Sequence, residues 1–265
     1  MFIVAQKESA DGNWEESRKT LQALIKKHGG KLDPDLKIDV LELSARAKAA
    51  TARPESFFSG RVVRLEKNEL EIFYNFADPK HLGDWISYTD TWEVGPLGIH
   101  RRESAQRDVL WWRHPHLANF HIKYETKGYS HLSCVVAGDG LTSDEGHGVL
   151  CGLGHYGALG AVMCWSPDSR HVLAKQLHAE INSHHFYIIE VSQTKKHLSL
   201  QSKGVKMRGL LRKKSDWKKP RAGNGLRLGL VGWQGADNVY RNARIRARLP
   251  DGWLDQERAS IRAGF

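Results

Sequence analysis

The sequence predicts a mainly β chain, a sandwich of two antiparallel sheets preceded by a helical hairpin. Three observations point there. Near the C-terminus, Leu226, Leu228 and Leu230 alternate with Arg227, Gly229 and Val231, and Ala243, Ile245, Ala247 and Leu249 alternate with Asn242, Arg244, Arg246 and Arg248. Side chains at i and i+2 share one face of a strand, so each segment offers an apolar face and a basic one, as half-buried antiparallel strands do. Second, glycine-rich punctuation separates several such segments at the spacing of a sandwich. Third, residues 13–50 have a helical period instead.

In chain order, Leu21, Leu24, Ile25 and His28 recur at helical spacing until Gly29-Gly30 stops the pattern. Asp33-Pro34-Asp35 restarts it, with Pro34 suited to a helix N-terminus, and Leu36, Val40, Leu43 and Ala47 then share a face. A hairpin of this size is too small to bury its own core. Pro54 to Gly60 reads as a linker, which sets the expected domains at 1–60 and 61–265. From Val62 the period becomes two. Leu70, Ile72, Tyr74 and Phe76 alternate with Glu71, Phe73 and Asn75, and Asp78-Pro79 ends that strand. Further strands are expected at Phe120–Glu125, Leu132–Val136, Phe186–Val191 and His197–Gln201.

The segment Tyr74-Asn75-Phe76-Ala77-Asp78-Pro79, followed by Gly83-Asp84-Trp85, resembles the opening of concanavalin A-like jelly-roll domains. It is similar in particular to those of the 3-keto-disaccharide hydrolase (DUF1080-like) kind and to related bacterial laminin-G-like modules. The closing strand of such domains is matched by Tyr240-Arg241-Asn242-Ala243-Arg244-Ile245, preceded by Gly229-Leu230. The resemblance spans about residues 68–249 and its motifs are structural. It implies a concanavalin A-like jelly roll of two antiparallel sheets and, with it, a glycan-directed role.

The 265 residues suffice for one large sandwich or two modest domains, and 40% hydrophobic content with nine tryptophans supplies a core. The net charge is +10, but nine basic residues between Lys203 and Arg221 face only Asp216, so that stretch holds +8 of it. A globally basic nucleic-acid binder would spread its charge over a face. Arg212, Lys213, Lys214, Trp217, Lys218 and Lys219 are the candidates for an anion-binding loop, with a polyanion as partner. The Arg244/Arg246/Arg248 face could extend that patch; otherwise it is a solvent-facing strand.

Cys134, Cys151 and Cys164 are odd in number and lack CxxC spacing, so they read as buried thiols without a zinc knuckle or a full disulfide framework. Gly152-Leu153-Gly154-His155-Tyr156-Gly157 spells GxGxxG, but strand-like segments flank it, where a dinucleotide site needs a strand leading into a helix. His178-Ala179-Glu180 has HxE spacing without the PCxxC that zinc deaminases require. His114-Pro115-His116 and His184-His185 lack carboxylate partners, so no metal site and no cofactor is expected, with calcium left open through Asp139, Asp144 and Glu145. No compact Glu-x-Asp-x-Glu strand of the sandwich-glucanase type is present.

Aromatic side chains give the better lead, because sugar rings stack their C–H faces on Trp and Tyr. Trp111 and Trp112 are adjacent, so one should face in and the other out; Trp85 and Trp92 read as core. The candidate carbohydrate contacts are Trp112, His155, Tyr156, Trp165 and Trp233. The expectation is a non-catalytic carbohydrate-binding or interaction module. The alternatives are a glycan-active hydrolase or lyase like the 3-keto-disaccharide hydrolases, and a polyanion-binding or structural module. No signal peptide and no apolar run long enough for a membrane span is found, which makes the cytoplasm the default location unless the chain is a fragment of an exported protein.

Overall fold

A computed structural model of the chain describes residues 1–28, 30–50, 57–89, 91–102, 107–117, 119–128, 131–138, 140, 148–155, 161–166, 171–177, 181–194, 197–202, 205–210, 226–233 and 237–263. The chain divides into two units, Met1–Phe57 with Asp251–Phe265, and Phe58–Pro250.

The first unit is helical: α1 (Phe2–Ala10), α2 (Trp14–His28), α3 (Pro34–Ala50) and the C-terminal α4 (Trp253–Ala263). In α2, Glu15 and Glu16 occupy the first turn and Lys26, Lys27 and His28 the last, each complementing the helix dipole. Pro34 opens α3, and the Asp33 carboxylate accepts from the Asp35 backbone N–H at 3.0 Å. Ala5, Leu21, Leu24, Val40 and Ala47 bury as one cluster, ringed by Phe2, Ile25, Leu32, Leu36 and Leu43. This corrects the expected hairpin without a core. Two more helices join it, and one of them, α4, comes from residues assigned to the sandwich.

The second unit is the sandwich. It begins with β1 (Arg61–Glu66) and β2 (Glu69–Tyr74), then a 3-10 turn (Pro79–Asp84). Next come β3 (Trp85–Ile86), β4 (Trp92–Gly95), β5 (Gly98–Arg101) and β6 (Asp108–Trp112). The middle strands are β7 (Phe120–Lys127), β8 (Leu132–Gly138), β9 (Val149–His155), β10 (Ala161–Ser166) and β11 (His171–Leu177). The last are β12 (Tyr187–Gln193), β13 (His197–Ser202), β14 (Val205–Leu210), β15 (Arg227–Gly232) and β16 (Val239–Arg248). Among the described residues, a nine-stranded sheet has the order β1-β2-β16-β7-β12-β13-β14, with β4 and β5 attached beside β16. A seven-stranded sheet has the order β11-β10-β9-β8-β15-β6-β3. Every described pairing is antiparallel.

The Asp78–Trp85 motif closes one corner. Asp78 caps the 3-10 turn through the Lys80 N–H, with Pro79 at its start. Asp84, 1% exposed, accepts from the Ser59 and Gly60 backbone N–H groups and from the Tyr74 hydroxyl at 2.7 Å, and its other oxygen lies 2.9 Å from His114 Nε2. Burial works to raise the Asp84 pKa, but His114, Tyr74 and the Gly60 N–H outweigh it and hold the carboxyl below its usual range. Trp85 packs edge-on against Tyr74 and Phe76. The described part of the GxGxxG run, Gly152–His155, lies in β9 between β8 and β10, and the next element among the described residues is the strand β10. Any Cβ on Gly152 would collide with the Leu132 carbonyl, so close strand approach explains this glycine. Cys134 and Cys151 are buried partners across β8 and β9, and Cys164 continues the same ladder in β10.

Candidate functional site

Of the carbohydrate candidates read from the sequence, Trp112, His155 and Trp165 lie on strands of the seven-stranded sheet and Trp233 follows β15. Trp112 is fully buried, and its Nε1–H donates to the Tyr74 hydroxyl at 2.8 Å. Trp111 is buried as well, at 1% exposed. The inward-outward split expected of the pair fails because β6 is covered on both faces, so Trp112 is core and not a sugar contact. Trp85 is core as expected, whereas Trp92 is half-buried with its Nε1–H on Asp108 at 2.7 Å. Trp233 is half-buried, stacked on His131 at 4.0 Å between centroids, with the Arg107 guanidinium 4.8 Å from its ring. Burial, and then Arg107, push His131 down to about 4.

His155 ends β9 and Trp165 lies in β10, with their side chains outside the described residues. Tyr156, the loop residues Arg212, Lys213, Lys214, Trp217, Lys218 and Lys219, and the calcium candidates Asp139, Asp144 and Glu145 lie outside them entirely. Among the described residues no cluster of three or more His, Cys, Asp or Glu side chains is placed to hold a metal. His114 faces Asp84, and His116, buried, has its Nδ1 2.9 Å from the Leu117 carbonyl oxygen. Burial pushes His116 down to about 4, keeping it neutral.

The better site lies on the nine-stranded sheet. Its inner face is apolar: Leu70, Ile72, Tyr74, Phe120, Ile122, Tyr124, Ile189, Val191, Leu198 and Leu200 are buried. The alternate positions face solvent, as β7 shows by switching from buried to half-buried at every residue. Strand register lines these outer positions into a row across six strands. Arg61 on β1 sits opposite Phe73 on β2, Phe73 opposite Arg244 on β16, and Arg244 opposite Lys123 on β7. Lys123 then sits opposite Glu190 on β12, and Glu190 opposite Gln201 on β13. Five inter-strand steps of about 4.8 Å make the row roughly 24 Å long.

Two grooves flank Lys123 along this row. One, of about 700 Å³, is lined by Arg61, Val63, Phe73, Glu125, Asn242 and Arg244. The other, of about 380 Å³, is lined by Phe186, Ile188, Glu190, Gln201 and Ser202. A bulge in β16 shapes the first: the register with β7 shifts between Arg241 and Arg244, and Asn242 adopts a left-handed φ of 51°. Asparagine tolerates that conformation. The extra residue turns both neighbours onto one acid. Arg241 Nε donates to Glu125 Oε2 at 2.7 Å and Asn242 Nδ2 to Glu125 Oε1 at 3.0 Å. Glu71 accepts from Arg244 and, at 2.9 Å, pairs with Arg246; Glu190 pairs with Lys123 at 2.6 Å. Rings lie among these charges: the Arg61 guanidinium is 5.3 Å from the Phe73 centroid, and that of Arg241 is 3.6 Å from Phe186.

These pairings fix the ionisation of the face. Burial tends to raise Glu71 and Glu125, but Arg246 and Arg244 in the first case, and Asn242 and Arg241 in the second, hold both below the usual range. Glu190 is lowered chiefly by Lys123. All three remain carboxylates near neutral pH. The surface offers hydrogen-bond donors and acceptors and exposed apolar area, and these three carboxylates are proton acceptors there. Sequence reading missed Phe73, Phe186 and Ile188 here; the charge alternation of β7 and β16 was visible, but not which residues it would be set beside.

No protein-family model matches this chain, and neither does any curated protein, so the narrower likeness to 3-keto-disaccharide hydrolases rests on its motifs alone. Among solved structures, a GH43 protein, BlXynB, from Bacillus licheniformis superposes with a TM-score of 0.50 at 15% identity, over 71% of this chain and 40% of that one. A Bacillus subtilis protein described as having a galectin-like fold gives 0.47 at 11% identity, over 71% of this chain and 98% of that one. The carbohydrate-binding module CBM66 from Bacillus subtilis gives 0.47 at 12% identity, over 62% and 96%. At these identities the likeness is one of fold. The sandwich has a jelly-roll-like fold of two antiparallel sheets.

Proposed function

We propose that this chain is a non-catalytic carbohydrate-binding module whose ligand lies along the outer row of the nine-stranded sheet. The observation behind this reading is the row from Arg61 to Gln201, with an aromatic ring beside a groove on each side of Lys123. A sugar needs apolar area for its C–H faces and fixed polar groups for its hydroxyls. Phe73, Phe186 and Ile188 supply the first, and Asn242, Gln201 and the paired charges supply the second. Glu125 and Glu190 share this face on neighbouring strands, as a two-carboxylate hydrolase would require, but glycoside hydrolysis also needs one of the two protonated. Asn242 and Arg241 hold Glu125 ionised, and Lys123 holds Glu190 so.

The test is thermal melting of the full chain against neutral and acidic oligosaccharides, with and without calcium, followed by product analysis. Ligand that binds only the folded state raises the melting temperature. A shift lost in Phe73→Ala and Ile188→Asp, without sugar cleavage, is the expected result. Cleavage would move the reading to the hydrolase or lyase alternative. No shift with any sugar would leave an interaction or structural module.

A further inference from the structure

The charges around the two grooves do not balance. Three carboxylates, Glu71, Glu125 and Glu190, face six cations: Arg61, Lys123, Lys127, Arg241, Arg244 and Arg246. Glu71 is shared by two arginines, so that cluster keeps one positive charge in excess. Arg61 and Lys127 lie over the rings of Phe73 and Phe186. The larger groove concentrates the excess, with Arg61, Lys123 and Arg244 on its wall and, as its one acid among the described residues, Glu125, already held by Arg241 and Asn242. The smaller groove is different. Phe186, Ile188, Gln201 and Ser202 line it with a single acid, Glu190, paired to Lys123. Ile188 is 45% exposed on its floor.

Resting on the carbohydrate-binding reading, we infer that the ligand is an anionic glycan, with a carboxylate- or sulfate-bearing unit in the groove between Arg61, Lys123 and Arg244 and an adjoining sugar over Phe186 and Ile188. Guanidinium groups suit such anions because their fork of donors matches two oxygens at once. The lysine between the grooves can reach the anion by giving up part of its pairing with Glu190. Apolar floor on one side and cations on the other favour an amphipathic sugar chain over a uniformly charged polymer, which would leave Ile188 uncovered. The described lining residues of the two grooves lie outside the basic stretch at 203–221, which meets the row at its end, where Gln201 pairs with Lys206 on β14.

The experiment is calorimetric titration of the full chain with hexagalacturonate, a sulfated oligosaccharide of similar length, cellohexaose and mannohexaose. Polyglutamate and a single-stranded oligonucleotide serve as charged controls. The expected result is binding of at least one acidic sugar about tenfold or more tighter than either neutral one, weakening as salt rises from about 50 mM to about 300 mM. Which acidic sugar binds separates carboxylate from sulfate. Arg61→Gln, which disturbs no ion pair, should cost about tenfold in acidic-sugar affinity by the loss of one charge-assisted contact, and Arg61→Lys should recover part of it. Unchanged melting temperatures without ligand show that both variants are folded.

Equal binding of neutral and acidic sugars, indifferent to Arg61→Gln, would overturn the inference and leave the carbohydrate-binding reading standing. Equal or tighter binding of polyglutamate or the oligonucleotide would overturn it in favour of a general polyanion site. Acidic-sugar binding lost in a Lys213→Gln/Lys214→Gln/Lys218→Gln/Lys219→Gln variant but kept in Arg61→Gln would place the site in the basic stretch instead. Failure of every sugar would remove both readings together.

Discussion

The two sheets of the sandwich use their residues differently. The described positions of β6 and β9 in the seven-stranded sheet are nearly all buried, and β15 is buried from Leu228 to Gly232. In the nine-stranded sheet, β7, β12, β13 and most of β16 bury only every second residue. The first sheet holds Trp111 and Trp112 in its interior, and the second shows charged side chains and two phenylalanines to solvent. Tryptophan is the residue most readily associated with sugar stacking, yet here the central tryptophans hold the scaffold together. The proposed ligand surface is the one that looks, in one strand at a time, like an ordinary solvated face.

If that contrast is right, substitutions in the two sheets should separate stability from binding. The largest effect is expected from Trp112→Ala, which opens a cavity and removes the donor to the Tyr74 hydroxyl; urea unfolding should show a loss of about 3–5 kcal/mol. Trp112→Ala that left stability unchanged but abolished sugar binding would reverse the assignment of the sheets. Asp84→Asn comes next, because it removes the charge beside His114 and unsettles the Tyr74 and Gly60 bonds. Breaking one member of such a buried pair costs roughly 3 kcal/mol.

Acid should act on the same scaffold. His116 is held at about 4 in the folded chain against 6.5 in the unfolded one. Below pH 6.5 the unfolded state therefore binds the extra proton, and stability falls as pH drops towards 4, by at most on the order of 3 kcal/mol. Urea midpoints from pH 7.5 to about 4 should show this slope, and His116→Gln should reduce it, leaving the part owed to His131, which is likewise pushed down to about 4. Asp84, lowered from 3.8, contributes stability that is present above that value and is lost below it, outside this window.

The outer face should respond in the opposite sense. Phe73→Ala is expected to change stability by about 1 kcal/mol or less while weakening sugar binding about tenfold, and Trp233→Ala compares the candidate on the other sheet. The smallest effect is Arg246→Gln, at about 0.5 kcal/mol, since its pair with Glu71 is exposed on the arginine side. A change of several kcal/mol from Arg246→Gln would mean that the charged face is structural.

Much of the architecture was legible in the residues because strand and helix periods are local properties. The alternations at 70–76, 120–125 and 243–249 mark β2, β7 and β16, and the helical spacing at 21–28 and 36–47 marks α2 and α3. The boundary was not legible: α4 lies some two hundred residues after α3, and nothing in either segment alone announces that they belong to one unit.

The sequence by itself determined that this is a β-sandwich with helices added, because burying one face of each strand imposes a period that survives in the chain. Only the tertiary structure decided which strands lie side by side. Strand order brings residues 61, 73, 244, 123, 190 and 201 into one row, although they are scattered from position 61 to position 244. It also decided that both faces of β6 are covered, which turned Trp112 from a surface candidate into core. Pairing and burial depend on contacts between distant segments, and no local pattern encodes them.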